Sequence, residues 1–330
     1  MGDVSKRVRD FIAGINNTYS ADILEVGGKF DALKLARFSS GILNLDVSLG
    51  GGWPFGRVVT IAGEYSTGKT LMALKAMKAV RSYDHKTRKH ISQHDPKVEG
   101  PFQPGMTLFV DVEGAFDSEW AALNGLNENE DYVVARPEYS EQAIDIVTAA
   151  IRENAFDLIV VDSIAAMTPA TEIEASSEDW QMGLAARLNN KAMRRWNASL
   201  NKMSQGGAKG GPTIMCLNQF RMKIGVMFGD PRTLPGGKGQ EFCASIIVYT
   251  HSTSYDDTKG KGDKPGKELG IGSYGGVVFK NKTYRPRQKY TFKMGLRNTD
   301  AFDMCQVDNI EQMIAGGKRH NLIVKDGKAG

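Results

Sequence analysis

From Val58 to Met77 the chain reads Val-Val-Thr-Ile-Ala, then Gly63-Glu64-Tyr65-Ser66-Thr67-Gly68-Lys69-Thr70, then Leu-Met-Ala-Leu-Lys-Ala-Met. An apolar, β-branched run, the pattern G-x-x-x-x-G-K-T and a good helix former follow one another without a gap. That strand–loop–helix context is what a phosphate-binding loop requires. Gly63 and Gly68 let the backbone curl until successive N–H groups point inward at phosphate oxygens. A helix opening near Lys69 adds its positive end to the same nest. Lys69 is placed to reach the β- and γ-phosphates, and the Thr70 hydroxyl to ligate Mg²⁺. The chain is expected to bind ATP or GTP.

Three further apolar runs end in polar side chains that suit such a site. Thr107 to Glu113 closes on Asp111 and Glu113, Leu158 to Ser163 on Asp162, and Ile214 to Gln219 on Asn218 and Gln219. Strands that are apolar throughout and alternate with helices, such as the one read over Ala143–Ile151, predict a parallel sheet covered on both faces. Ligands gather at the carboxyl ends of its strands. The expected fold is therefore an α/β P-loop NTPase with a central, mostly parallel sheet flanked by helices. Asp162 best matches a metal-shell carboxylate; Glu113, two residues past Asp111 on the same face, is the candidate base. Gln219 could sense the γ-phosphate, although an amide at a strand end is usually a turn former.

With 330 residues, 41% apolar and 24% charged, the chain has the composition of one large or two unequal folded domains. A net charge of +4 permits contact with nucleic acid without demanding it. Cys216, Cys243 and Cys305 lack paired spacing and read as reduced thiols of a cytoplasmic protein. No apolar run approaches the ~20 residues of a membrane span, and the amino terminus lacks a signal-peptide pattern.

Residues 3–16 carry Val4, Val8, Phe11, Ile12 and Ile15 at helical spacing, and the short run from Ile23 to Val26 follows; these form a small arm. It could fold on its own core or dock on a neighbouring subunit. Ser40 to Gly56 reads as a turn-rich approach to the first strand. Asp84 to Gly105 reads as a polar surface loop, its Pro96, Pro101 and Pro104 arguing against a metal site at His90 and His94. Ile246–Tyr249, Val277–Phe279 and Tyr290–Met294 read as later strands, with a loop over Ser252–Gly272. A short helix is expected near Asn309–Ala315.

Two segments leave the sheet with basic residues among apolar ones: Glu172 onward to Arg187, Arg194 and Arg195, and Phe220 to Lys238. Cations neutralise phosphates and apolar side chains stack on bases, so the pattern suits a single strand of nucleic acid. On composition alone, a buried strand with solvated flanks is the better reading.

The run Asn218-Gln-Phe-Arg221-Met222-Lys223-Ile224-Gly-Val-Met-Phe-Gly229 resembles the second DNA-binding loop of the RecA recombinases at nearly every position. Gln181-Met182-Gly-Leu-Ala-Ala-Arg187 resembles the end of that family's first loop. Val160 to Pro169 and Phe109 to Glu113 resemble its metal and base strands. The likeness runs from about Ser39 to Met313. It implies a filament-forming, DNA-dependent ATPase that pairs homologous DNA and exchanges strands, with ATP and Mg²⁺ as cofactors. Implied partners are single-stranded DNA, homologous duplex DNA, further copies of the chain, and a single-strand-binding protein or loader.

By the same resemblance Glu113 activates water and Gln219 is the γ-phosphate switch. Asp117 and Trp120 hold and stack on adenine, Trp120 standing where the family has Tyr. Lys280 and Lys282 reach the γ-phosphate of the adjacent protomer. Met182, Arg187, Arg194, Arg221, Met222, Lys223, Ile224, Gly236 and Gly237 match DNA contacts, and Ile23 matches an arm residue that packs on the neighbour. Implied domains are an arm over 1–36, an ATPase core over 37–297 and a shortened carboxyl-terminal domain over 298–330. The insert at 84–105, the extra stretch at 206–211 and the short carboxyl-terminal domain depart from bacterial members and suit a phage-type or otherwise divergent one. A ring helicase on the same core and a DNA-coating filament whose nucleotide only gates binding are the rival readings.

Overall fold

The β-branched runs lie side by side in one sheet. The computed structural model describes residues 5–19, 24, 35–174, 183–205, 210–222, 232–255, 270–296, 298 and 303–319. The strands are β1 Val58–Gly63, β2 Thr107–Asp111, β3 Tyr132–Ala135, β4 Leu158–Asp162, β5 Thr213–Gln219, β6 Ile246–Tyr255, β7 Ile271–Asn281 and β8 Gln288–Gly295. Their order is β8-β7-β6-β1-β5-β4-β2-β3. Every neighbouring pair from β6 to β3 is parallel, and β7 and β8 form an antiparallel edge. The chain has the expected α/β P-loop architecture.

Alternation along the strands explains why each is apolar throughout. Val59, Ile61, Val160, Met215 and Leu217 point to one face, where Leu71, Leu74 and Met77 of helix α3 (Lys69–Val80) cover them. Val58, Ile159, Val161, Ile214 and Cys216 point to the other. That face is covered by α5 (Ser140–Glu153) and α6 (Leu184–Gln205), through Ile144, Val147, Met193, Trp196 and Leu200. Side chains of period two serve both layers, so apolar residues dominate both sides of each strand, and the buried Thr213 and Asn218 donate to the carbonyls of Pro54 and Pro235. The remaining helices used below are α1 (Lys6–Tyr19), α2 (Leu43–Leu49), α4 (Ser118–Leu123), α7 (Gly239–Cys243) and α8 (Asn309–Arg319). No described helix is long and apolar enough to cross a membrane.

Three expectations need correction. The approach to β1 is not all turn: α2 occupies its middle. Ile42 gives that helix no side-chain cap; Asn309 Oδ1 and Gln312 Oε1 of α8 accept from Leu43 N and Asn44 N instead, at 3.0 and 2.7 Å. The insert over 84–105 is an ordered, pinned segment. The Asp84 carboxylate accepts from Lys86 N, Thr87 N and Gln103 N, and buried Arg88 forms an ion pair with buried Asp157. Lastly, β6 and β7 run further than expected, to Tyr255 and from Ile271, leaving 256–269 outside the described residues.

Helix α1 runs over Lys6–Tyr19, past the expected end at residue 16, and none of its residues is buried. Phe11 is 62% exposed. Ile23 lies outside the described residues.

Candidate nucleotide site and DNA-facing segments

At the end of β1 the backbone turns over left-handed positions at Ser66 (φ 55°) and Gly68 (φ 83°). A Cβ on Gly63 would lie 2.5 Å from Thr67 Oγ1 and 2.7 Å from the Thr250 carbonyl, so the turn closes only over glycine. Lys69 opens α3, and no side chain caps that helix. Its first amides are thus left to face whatever fills the loop. Lys69 Nζ donates to Gly63 O at 3.3 Å and Glu64 O at 2.6 Å, inside the loop. Burial pulls the Lys69 pKa down, against the pull of Asp162 and Glu113. Glu64, Tyr65 and Ser66 lie exposed on the outer turn.

The carboxylates sit at the same edge. Asp111 and Asp162 are opposite one another in the β2–β4 register, yet they do different things. Asp111 is buried and accepts from Ala115 N and Phe116 N at 3.0 and 3.1 Å, which staples the loop after β2. Asp162 Oδ2 accepts from the Thr70 hydroxyl at 3.1 Å. Burial, then Glu113, pushes the Asp162 pKa up to about 6, against Thr70 and Lys69. Two oxygens of different chemistry beside a crowded carboxylate fit a small divalent cation. Glu113 is exposed and accepts from Ser163 Oγ.

A cleft of about 270 Å³ leads from Ser66–Leu71 to Trp120, Tyr274, Met294 and Leu296. Of these walls, Trp120 alone is marked in the sequence. Tyr274, Met294 and Leu296 come from the antiparallel edge, and no local pattern marks them. Asp117 Oδ1 accepts from Trp120 N at 3.0 Å and caps α4, which fixes where the indole begins.

Gln219 stands opposite Gly63 in the β1–β5 register, and the next residue, Phe220, donates its N–H to Gly63 O at 3.4 Å. Beyond it Arg221–Met222 pairs with Arg232–Thr233 in a short antiparallel ribbon. Gly236 and Gly237, at φ 86° and 82°, return the chain against α6. A Cβ there would meet Ile164 Cγ2 and Asn190 Nδ2, each at 2.9 Å. No local pattern marks the clamp that closes this return: buried Asn218 donates to Pro235 O and to Gln240 Oε1, both at 3.0 Å. Arg187 and Arg194 are exposed on α6, seven residues apart and so on one side of it. Met182, Lys223, Ile224 and the side chain of Met222 lie outside the described residues.

Lys280 and Lys282 are not brought to the phosphate loop of their own chain. Lys280 pairs with Ile247, which is level with Thr60 of β1, three residues short of Gly63. Lys280 Nζ donates to Glu241 O and Phe242 O, and Lys282 Nζ to Phe242 O at 3.0 Å, all on α7.

The RecA N-terminal domain family model matches residues 6–95 and 97–299. The Protein RecA of Petrotoga mobilis is 38% identical over 233 residues, 70% of this chain and 56% of the relative. That of Mycoplasma mycoides subsp. mycoides is 36% identical over 291 residues, 88% of this chain and 74% of the relative. That of Leptospira biflexa is 33% identical over 306 residues, 92% and 68%.

Proposed function

The chain belongs to the RecA family, and on that premise we propose that it is a DNA-dependent ATPase that forms helical filaments on single-stranded DNA and catalyses homologous pairing and strand exchange in recombination and repair. The observation that carries this reading is the pairing of Gly63 with Gln219 and of Phe220 N with Gly63 O. The phosphate loop and the basic segment after β5 leave the sheet from adjacent, hydrogen-bonded strand ends, so a change at one is felt at the other.

In this reading the amides of Glu64 to Thr70 and Lys69 Nζ hold the phosphates, and Lys69 exchanges its two carbonyl partners for phosphate oxygens. Thr70 and Asp162 hold Mg²⁺, which when bound neutralises charge on the β- and γ-phosphates. Glu113 orients and deprotonates the attacking water, with Ser163 fixing one carboxylate oxygen. Gln219 reads the terminal phosphate. Asp117 and Trp120 meet the base. Arg187, Arg194, Arg221, Gly236 and Gly237, with Met182, Met222, Lys223 and Ile224, grip DNA.

Lys280 and Lys282 act on the nucleotide of the next protomer. Their distance from the phosphate loop of their own chain supports this, since a cation that cannot reach its own site is free to serve a neighbour's. Cations supplied in this way are worth ~10³–10⁵ in rate in other NTPases. The arm over 1–36, with the unburied face of α1, docks on the adjacent core over 37–297, and residues 298–330 form the carboxyl-terminal part. A single-strand-binding protein or loader is a further partner, and the site of action is the cytoplasm.

The test is ATP turnover with and without single-stranded DNA, beside electron microscopy with a non-hydrolysable triphosphate and Mg²⁺. DNA-stimulated turnover and helical filaments are expected. Rings that unwind duplex, or turnover indifferent to DNA, would overturn the reading.

A further inference from the structure

Half-buried aromatic rings form a ladder across the antiparallel edge of the sheet. Phe220 meets Tyr249 of β6 edge to face, with centroids 4.9 Å apart and planes at 86°. Tyr249 stacks on Phe279 of β7 at 4.4 Å and 22°. Arg232, where the basic segment returns, places its guanidinium 5.2 Å from the Phe220 centroid and 5.6 Å from that of Tyr249. Arg287 lies 3.9 Å over Phe279. One ring, Tyr249, therefore holds both ends of the segment that Phe220 opens and Arg232 closes.

The far rung falls at an irregularity in the sheet. Ile247 pairs with Lys280 but Val248 with Val278, which leaves Phe279 as the extra residue of a β-bulge. A bulge residue stands outside the main-chain ladder and re-aims the side chains beside it. Packing against Tyr249 and Arg287 is left to set where Phe279 sits, and Lys280 is the next residue. Lys280 Nζ is meanwhile turned onto the carbonyls of Glu241 and Phe242.

The near rung is tied to the nucleotide site. Phe220 N–H donates to Gly63 O, and Thr250, the neighbour of Tyr249, donates through Oγ1 to Thr67 O at 2.8 Å.

We propose that Tyr249 and Phe279 are positioning residues that carry DNA occupancy of the segment after β5 to Lys280, and so to the nucleotide held by the neighbouring protomer. The proposal rests on the role in trans assigned above to Lys280. A strand gripped between Arg221 and Gly237 moves Phe220 or Arg232, and Tyr249 follows, because packed rings have few alternative arrangements. The bulge is where β7 yields, and the yield frees Lys280 from α7. No bond is made or broken; the change is one of reach.

The experiment uses full-length protein on single-stranded DNA. Tyr249→Leu removes the ring, and Tyr249→Phe keeps it. Tyr249→Leu should bind single-stranded DNA within about twofold of wild type by fluorescence anisotropy, while DNA-stimulated turnover falls roughly 3- to 10-fold; Tyr249→Phe should retain turnover. Mixed filaments separate transmission from a general loss of packing. Glu113→Gln protomers hydrolyse nothing themselves but carry an intact ladder and Lys280. Turnover per Tyr249→Leu protomer should climb back toward wild type as Glu113→Gln is added in excess.

Lys280→Ala mixed with Glu113→Gln is the control for the parent reading and should be restored in the same way. If Lys280→Ala is restored and Tyr249→Leu is not, the ladder is overturned and the trans site stands. If neither is restored, the trans site falls and takes the ladder with it. Full DNA-stimulated turnover by Tyr249→Leu alone also overturns the ladder. Should Tyr249→Leu fail to fold by circular dichroism, Phe279→Leu carries the same expectations.

Discussion

Thr70 Oγ1 lies 3.1 Å from Asp162 Oδ2, so a side chain on the first turn of α3 and one at the end of β4 already touch across the edge where β1, β4 and β5 finish. Asp162 is nonetheless poorly matched to its surroundings without a cation, because burial and the Glu113 carboxylate both disfavour its charge. Asp162→Asn should therefore raise the Tm of nucleotide-free protein by about 1–2 °C, on the order of 1 kcal/mol of relief. The same change should abolish the Mg²⁺-dependent part of ATP binding. Thermal melting and a fluorescent nucleotide titrated in Mg²⁺ and in EDTA check both halves. A Tm that falls would mean that the Thr70 bond outweighs the crowding.

Lys280 offers a pH signature. Burial, then the neighbouring Lys282, draws its pKa from 10.5 to about 8. Between those values the unfolded chain holds a proton that the folded chain has lost, so stability should rise as pH climbs from about 8 toward 10.5. Below pH 8 the ammonium is charged in both states and its desolvation weighs against folding. Lys280→Met should be the more stable protein near pH 7, with the difference closing by pH 10. Urea denaturation of both proteins at pH 7, 8.5 and 10 measures the convergence.

Arg88 and Asp157 form a buried ion pair at the amino end of β4, and the guanidinium also lies 4.8 Å from the Phe55 centroid. Burial draws the Arg88 pKa down to about 10. Removing one partner strands the other charge in the interior, at a cost of about 3–5 kcal/mol. Arg88→Ala and Asp157→Ala should each destabilise by that order, and the double variant carrying both by clearly less than their sum. Equilibrium unfolding of the three variants decides it. Full additivity would show that the two charges do not depend on one another.

Elements that bury both faces are legible in the sequence. The apolar runs ending at Gly63, Asp111, Asp162 and Gln219 show as strands because alternating side chains feed two cores, and their polar ends share an edge because the strands are parallel. Structure made by distant partners is not legible. The insert is held by Asp84 and Asp157, whose roles depend on where the chain returns. Tyr274, Met294 and Leu296 wall the cleft beside the Gly63–Thr70 loop only because β7 and β8 fold back beside β6. The segment from Phe220 to Lys238 has the composition of an ordinary strand with solvated flanks, and likeness to a family, not periodicity, marks it for DNA.

Helix α2 is the sharpest case of partners that local sequence hides. Its first amides lack a cap from Ile42 and are satisfied by Asn309 and Gln312, 266 and 268 residues away. Asn309 Nδ2 also donates to Gly41 O at 3.2 Å, so this amide holds both sides of the helix start. An N-cap lost to alanine costs ~1 kcal/mol. Asn309→Ala should therefore cost more than Gln312→Ala, since it breaks two bonds where the other breaks one. Deleting residues 303–330 removes both caps together and should destabilise the core at least as much as the double alanine variant. If α8 were a free appendage, the truncated chain would unfold at the urea concentration of the full one. Equality there would mean that water caps α2 as well as α8 does.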